Sequence, residues 1–222
     1  MFPDRLTRID ETTRDQHYYL QEGDFCYFFG EVFAGGYAVC DTNQLLFNYK
    51  CEPSVALGHA ARGRYKQNAI ATIAAGMRAA LPRANAEQYT WVPIPSSKIA
   101  GHPDYDDRLV RTLSMAFAGY NADIRQLLRQ SESTEADHKG EDRLRPEKLY
   151  NLLQFDQAAL GARPLGRKIV LFDDVLTTGK HFKCCERRIR EAVGAEIPII
   201  GVFITRRART TAADEFENLD AE

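Results

Sequence analysis

Two adjacent carboxylates at the end of an apolar run are the residues of this sequence best placed to do chemistry. Residues 169–181, IVLFDDVLTTGKH, pass from strand formers into Asp173 and Asp174, then into a Thr-Thr-Gly turn that opens a helical pattern. A ligand of an open α/β sheet lies beyond the carboxyl ends of its strands, which is where these acids would emerge. Adjacent acids there can accept hydrogen bonds from vicinal hydroxyls such as those of a ribose. Val175 and Leu176 lead into residues 177–181, where Thr177, Thr178, Gly179, Lys180 and His181 present N–H groups and hydroxyls at a helix N-terminus. Unpaired donors and the helix dipole stabilise a phosphate at such a point. Acids for a ribose beside a cradle for a phosphate describe a ribose 5-phosphate site. The alternative is a strand, turn and helix with surface acids, although a P-loop or dinucleotide turn would show different glycine spacing and no paired acids.

Those residues need a sheet and helices to position them. Residues 168–172 read as a strand, 180–193 as a helix ended by Gly194, and 197–205 as a second strand. Strand, helix and strand in so short a span is the βαβ unit of a parallel sheet. Upstream, residues 90–94 predict another strand, which ends in Pro95-Ser96-Ser97-Lys98. Ser96, Ser97 and Lys98 offer donors and one positive charge to a second anion, or form an ordinary turn. The spacing of Ile70, Ile73, Ala74, Met77 and Leu81 predicts a helix over 62–81, stopped by Pro82. Helices are also expected over 104–119 and from Pro146 to about Leu153, with a strand-like run at 124–128.

Residues 24–50 are aromatic and branched, cut by Gly35-Gly36 and Asp41-Thr42-Asn43, and predict two or three antiparallel strands. Tyr27, Phe28, Phe29, Phe33 and Tyr37 either form a hairpin core or stack on a planar ligand. Residues 129–145 are polar and of mixed charge, which predicts a surface loop. His138, Lys139, Arg143 and Arg145 in it are candidates to close over a departing anion, or they solvate the loop.

At residues 169–181 the sequence resembles the 5-phosphoribosyl 1-diphosphate signature of type I phosphoribosyltransferases: an apolar strand, two acids, an apolar pair and Thr-Thr-Gly. The resemblance implies an α/β fold with a central, mostly parallel sheet flanked by helices. It implies a small N-terminal β hood over residues 1–60, a core over 61–211 and an acidic tail over 212–222. Asp173 and Asp174 would hold the ribose hydroxyls, and Mg²⁺ directly or through water or those hydroxyls. Residues 177–181 would hold the 5-phosphate, and Ser96, Ser97 and Lys98 the diphosphate. His138 and Arg143 would join Asp173 and Asp174 in catalysis. The nearest branch in appearance is the competence-associated, ComF-like one, whose diphosphate loop also follows a Pro-x-Pro strand. Its cysteine finger is missing, and residues 103–108, PDYDDR, replace its Arg-Gly-aromatic-Asn pattern. His181 stands where the family has Thr or Ser, and Thr177 where the purine-salvage branch carries an acid. The similarity covers about residues 90–207.

The bulk properties fit this reading. A chain of 222 residues, 44% hydrophobic, suits one domain with a small appended lobe. A formal net charge of −2 does not call for nucleic acid as the main ligand. A polar N-terminus and no apolar run of membrane-spanning length lead us to expect a cytoplasmic protein with no membrane partner. Five cysteines without a Cys-x-x-Cys spacing suggest reduced structural thiols. The expected activity is transfer of phosphoribosyl from 5-phosphoribosyl 1-diphosphate to an unidentified nitrogenous acceptor, with release of diphosphate. Further partners in this reading are a second copy of the chain and a protein partner. The competing readings are a non-catalytic regulator that senses the sugar diphosphate, with Arg187, Arg188, Arg190, Arg206, Arg207 and Arg209 as its contact patch, and an accessory or effector protein in DNA uptake or defence.

Overall fold

The computed structural model describes residues 2–134 and 145–209. In chain order, β1 (Thr7–Arg8), α1 (Glu11–Arg14) and β2 (Cys26–Val32) precede α2 (Asp41–Tyr49), α3 (Pro53–Gly58), α4 (Ala60–Ala80) and α5 (Arg83–Gln88). Next come β3 (Thr90–Pro93), α6 (Arg108–Ala116), β4 (Asp123–Ile124), β5 (Leu128–Gln130), α7 (Pro146–Leu152), β6 (Leu153–Phe155) and α8 (Gln157–Gly161). The chain continues with β7 (Ile169–Leu176), α9 (Lys180–Val193) and β8 (Ile199–Arg207). Among the described residues a six-stranded sheet runs in the order β1-β2-β8-β7-β3-β4, parallel except for β1, and β5 and β6 form a separate antiparallel ribbon.

The alternation of side chains along the central strands divides the interior into two layers. Val170 and Phe172 of β7 join Val202 and Ile204 of β8 under α4 and α6, with Ile70, Ile73, Met77 and Leu113. Ile169 and Leu171 face the other way and pack with Phe182, Cys185 and Ile189 of α9. Fully burying one such side chain contributes roughly 1.5–3 kcal/mol, so this double-sided packing fixes the register of β7 firmly. The helix α9 has the bounds read from its sequence, from Lys180 to a stop at Gly194.

The helix expected over 104–119 spans only Arg108–Ala116, and three further expectations differ from the structure. Residues 24–50 form one strand and one helix instead of two or three antiparallel strands. Leu45, Leu46 and Tyr49 recur at helical spacing and pack into the layer under α4. Asn43 holds this helix to the end of β2: its side chain accepts from Phe33 N at 3.1 Å and donates to Phe33 O at 3.0 Å and Gly36 O at 2.7 Å. The N-terminal stretch thus lends β1 and β2 to the main sheet itself. Second, the run at 124–128 splits between β4 and β5, because Arg125 turns inward between them. Its guanidinium donates to Ala159 O, Leu160 O and Arg163 O at 2.9–3.1 Å and to Asp123 at 2.7 Å. Third, β7 continues through both acids to Leu176. Among the described residues no helix is long and apolar enough to cross a membrane.

Candidate functional site

The site is made where one strand stops and its neighbours go on. β3 pairs with β7 only as far as Pro93 opposite Phe172, and Ile94 N gives the last bond to Phe172 O at 2.9 Å. β8 stays paired with β7 to Arg206 opposite Leu176. The backbone edge of residues 173–176 is therefore open on one side. A cavity of about 470 Å³ lies there, lined by Asp173, Asp174 and residues 175–182, by 95–98, and by Lys50, Glu52, His102, Asp104, Asp106 and Arg108. The acids, the turn of residues 177–181 and the Ser96-Ser97-Lys98 loop singled out in the sequence thus meet in one cavity. His138, Lys139 and Arg143 lie outside the described residues.

The two acids do not share one environment. Asp174 follows Val170 and Phe172 in the alternation and faces α6, where the Arg108 guanidinium grips its Oδ2 through Nε at 3.1 Å and through Nη2. Lys50 Nζ stands 3.5 Å from the other oxygen. Arg108 also donates to Asp106 through Nη1 at 2.7 Å, and Lys66 Nζ meets the same Asp106 oxygen at 2.6 Å. The result is a chain of alternating charge, Lys66–Asp106–Arg108–Asp174–Lys50. Burial opposes ionisation of Asp174, but Lys50 and Arg108 outweigh it and hold the carboxyl below its usual range. Burial likewise pulls the Lys66 ammonium below its usual range, with Asp106 acting against it.

Asp173 follows Ile169 and Leu171 and faces the α9 side. Its Oδ1 accepts the Asp174 N–H at 2.7 Å, yet burial, reinforced by the neighbouring Asp174, pushes its pKa up to about 7. Neighbours in sequence, these carboxylates have opposite tasks: one is a fixed anion inside an ion chain, the other a group whose charge is costly. Asp174 offers no free oxygen to a resident Mg²⁺. Both Asp174 oxygens are taken by cations, and among the described residues no group of three His, Cys, Asp or Glu is arranged to hold a metal.

The turn of residues 177–181 leads β7 into α9. Gly179 is the N-cap of α9 at φ +82°, a left-handed conformation that glycine takes without strain. Lys180 N, at the start of α9, donates to Thr178 Oγ1 at 3.4 Å, and residues 177–182 line the cavity. In the opposite loop, Lys98 N donates to Ser96 Oγ at 3.3 Å, and Ser97 O accepts from Thr134 N at 2.8 Å. No family model, curated protein or solved structure matches the chain.

Lys50, Lys66, Asp106 and Arg108 were not singled out as site residues by sequence. One signal was available: Lys66 occupies the apolar stripe of α4, four residues before Ile70, and a lysine there needs a buried acid. Of the arginine patch of the regulator reading, Arg188, Arg190 and Arg206 are engaged within the fold, while Arg187, Arg207 and Arg209 are exposed. Arg187 pairs with Glu147 at 3.3 Å, Arg188 donates to Tyr150 O at 3.0 Å, Arg190 holds Ile197 O at 2.7 Å beyond α9, and Arg206 meets Glu31 at 2.5 Å.

Proposed function

We propose that the chain binds 5-phosphoribosyl 1-diphosphate in this cavity and transfers its phosphoribosyl group to a nitrogenous acceptor, as a phosphoribosyltransferase of the type I fold. The observation that carries the reading is the convergence, in one cavity, of the Asp173–Asp174 strand end, the turn of residues 177–181 and the loop of Ser96, Ser97 and Lys98. The N–H groups of the turn of residues 177–181, which leads into α9, take the 5-phosphate. Asp173 meets the ribose hydroxyls, and Asp174 stays bound to Arg108. The diphosphate faces Ser96, Ser97 and Lys98, and Lys50, its side chain 29% exposed and held to Asp174 only at 3.5 Å, is the cation best able to turn toward it. The C1–O bond breaks with its electron pair leaving on diphosphate, and the acceptor nitrogen forms the new bond to C1. Magnesium enters as the counter-ion of the sugar diphosphate, as part of the substrate.

A second reading, a sensor that binds the sugar diphosphate without turnover, is favoured by one observation: Asp174 is already neutralised by Arg108 and Lys50. One experiment separates the two. The protein is incubated with 5-phosphoribosyl 1-diphosphate, Mg²⁺ and a panel of bases, and diphosphate release and thermal stability are both followed. Release dependent on one base supports transfer, and stabilisation without release supports the sensor. Neither stabilisation nor release refutes both.

A further inference from the structure

The outer side of the phosphate turn is gripped by a segment from the far end of the chain. His17 Nδ1 hydrogen-bonds the Thr177 carbonyl, and Tyr19 N donates to the Thr178 carbonyl at 2.8 Å. Leu20 N closes the segment on itself through His17 O at 2.9 Å, and the Leu20 side chain lies where a Cβ on Gly179 would stand, 2.8 Å away. Two successive carbonyls of the turn are thus drawn to one side. All peptide bonds among the described residues are trans, so each carbonyl is antiparallel to the next N–H. With the carbonyls of Thr177 and Thr178 held by this segment, the N–H groups of Thr178 and Gly179 point the other way, and both residues line the cavity.

The ring that does this is chemically constrained. His17 is 1% exposed, and a carbonyl only accepts, so Nδ1 must carry the proton. Burial, assisted by the charges of Arg206 and Arg209, lowers the imidazole pKa although the Thr177 bond opposes it. Nδ1 thus points its proton at Thr177, and the buried Nε2 has no hydrogen-bond partner among the described residues. Leaving a buried ring nitrogen unpartnered is costly. A simple apolar plug would avoid that cost, so the Nδ1–H bond is what the residue supplies.

We propose that His17 is a positioning residue for the anion site: by donating Nδ1–H to Thr177 O it orients the N–H groups that receive a phosphate monoester. The proposal rests on the ribose 5-phosphate reading above and brings the N-terminal segment into that site. The test compares two amides. The asparagine amide nitrogen superposes on histidine Nδ1, and the glutamine amide nitrogen on Nε2. Full-length wild type, His17→Asn and His17→Gln are titrated with ribose 5-phosphate by calorimetry, and their Tm values are measured without ligand. His17→Asn should bind within about threefold of wild type, while His17→Gln weakens about tenfold, the net contribution of one hydrogen bond. Equal affinity in both variants, whatever their Tm, overturns the positioning role. So does a tenfold loss in both, since a merely structural histidine would not separate them. Absence of binding in wild type overturns the ribose-phosphate reading and this proposal with it, whereas binding in wild type with unchanged His17→Gln overturns this proposal alone.

Discussion

Replacing Arg108 by methionine removes the central cation of the buried ion chain and leaves its volume nearly filled. Two carboxylates then lose a partner, Asp174 and Asp106. Neither is stripped bare: Lys50 remains 3.5 Å from Asp174, and Lys66 remains 2.6 Å from Asp106. Breaking a buried pair while its other member stays charged costs about 3–5 kcal/mol. The surviving lysines place Arg108→Met near the lower end, about 3 kcal/mol. A domain with roughly 5–15 kcal/mol of stability survives that loss in the folded state. Arg108→Lys keeps the charge but cannot span Asp106 and Asp174 with one planar fork, so it should fall between the two.

The assay is denaturant unfolding at a series of pH values. The Asp174 pKa is held below its usual value in the folded protein, so its contribution is present above the unfolded-state pKa and is lost as pH falls through the lower folded value. Arg108→Met raises that folded value, and the stability gap to wild type should therefore be full at neutral pH and close in acid. A loss under about 1 kcal/mol at neutral pH, the size of an exposed pair, would refute the reasoning. A gap that widens as pH falls would refute it as well.

Asp173 should show the opposite pH dependence: its pKa is pushed up to about 7, so its contribution is lost as pH rises from the ordinary carboxylate range through that value. Asp173→Asn should gain stability over wild type across that interval and hold a constant gain above it, read as Tm against pH. Asp173→Asn combined with Asp174→Asn should remain folded, with a lower Tm than Asp173→Asn alone, and should lose stabilisation by 5-phosphoribosyl 1-diphosphate; unchanged stabilisation removes both acids from the site. Gly179→Ala meets both a φ of +82° and the Leu20 side chain at 2.8 Å, and should cost about 1–2 kcal/mol in chemical denaturation. Adding Leu20→Ala relieves only the steric part, so full recovery would show that the left-handed conformation carries no cost there.

How much of the site the sequence discloses depends on how local its physics is. The turn of residues 177–181 and the helix behind it are local: a glycine at a left-handed N-cap, a following stripe of Phe182, Cys185 and Ile189, and Gly194 as a stop can be read from consecutive residues. Residues 24–50 misled because aromatic and branched residues suit both a strand and a half-buried helix. The choice fell to Asn43, whose hydrogen bonds to Phe33 and Gly36 depend on a chain reversal that no periodicity records. The ion chain is less local still, since Arg108 and Lys50 reach Asp174 across 66 and 124 residues of sequence. The acid pair illustrates the limit most clearly. Two consecutive aspartates look like one ligand clamp, but a strand that continues through them sends them to opposite faces. One face offers Arg108 and Lys50, the other the apolar packing of α9, and the same residue type is held ionised on the first and pushed toward its neutral form on the second. The sequence thus discloses which residues gather at the strand end, while their protonation is decided by partners that only the topology supplies.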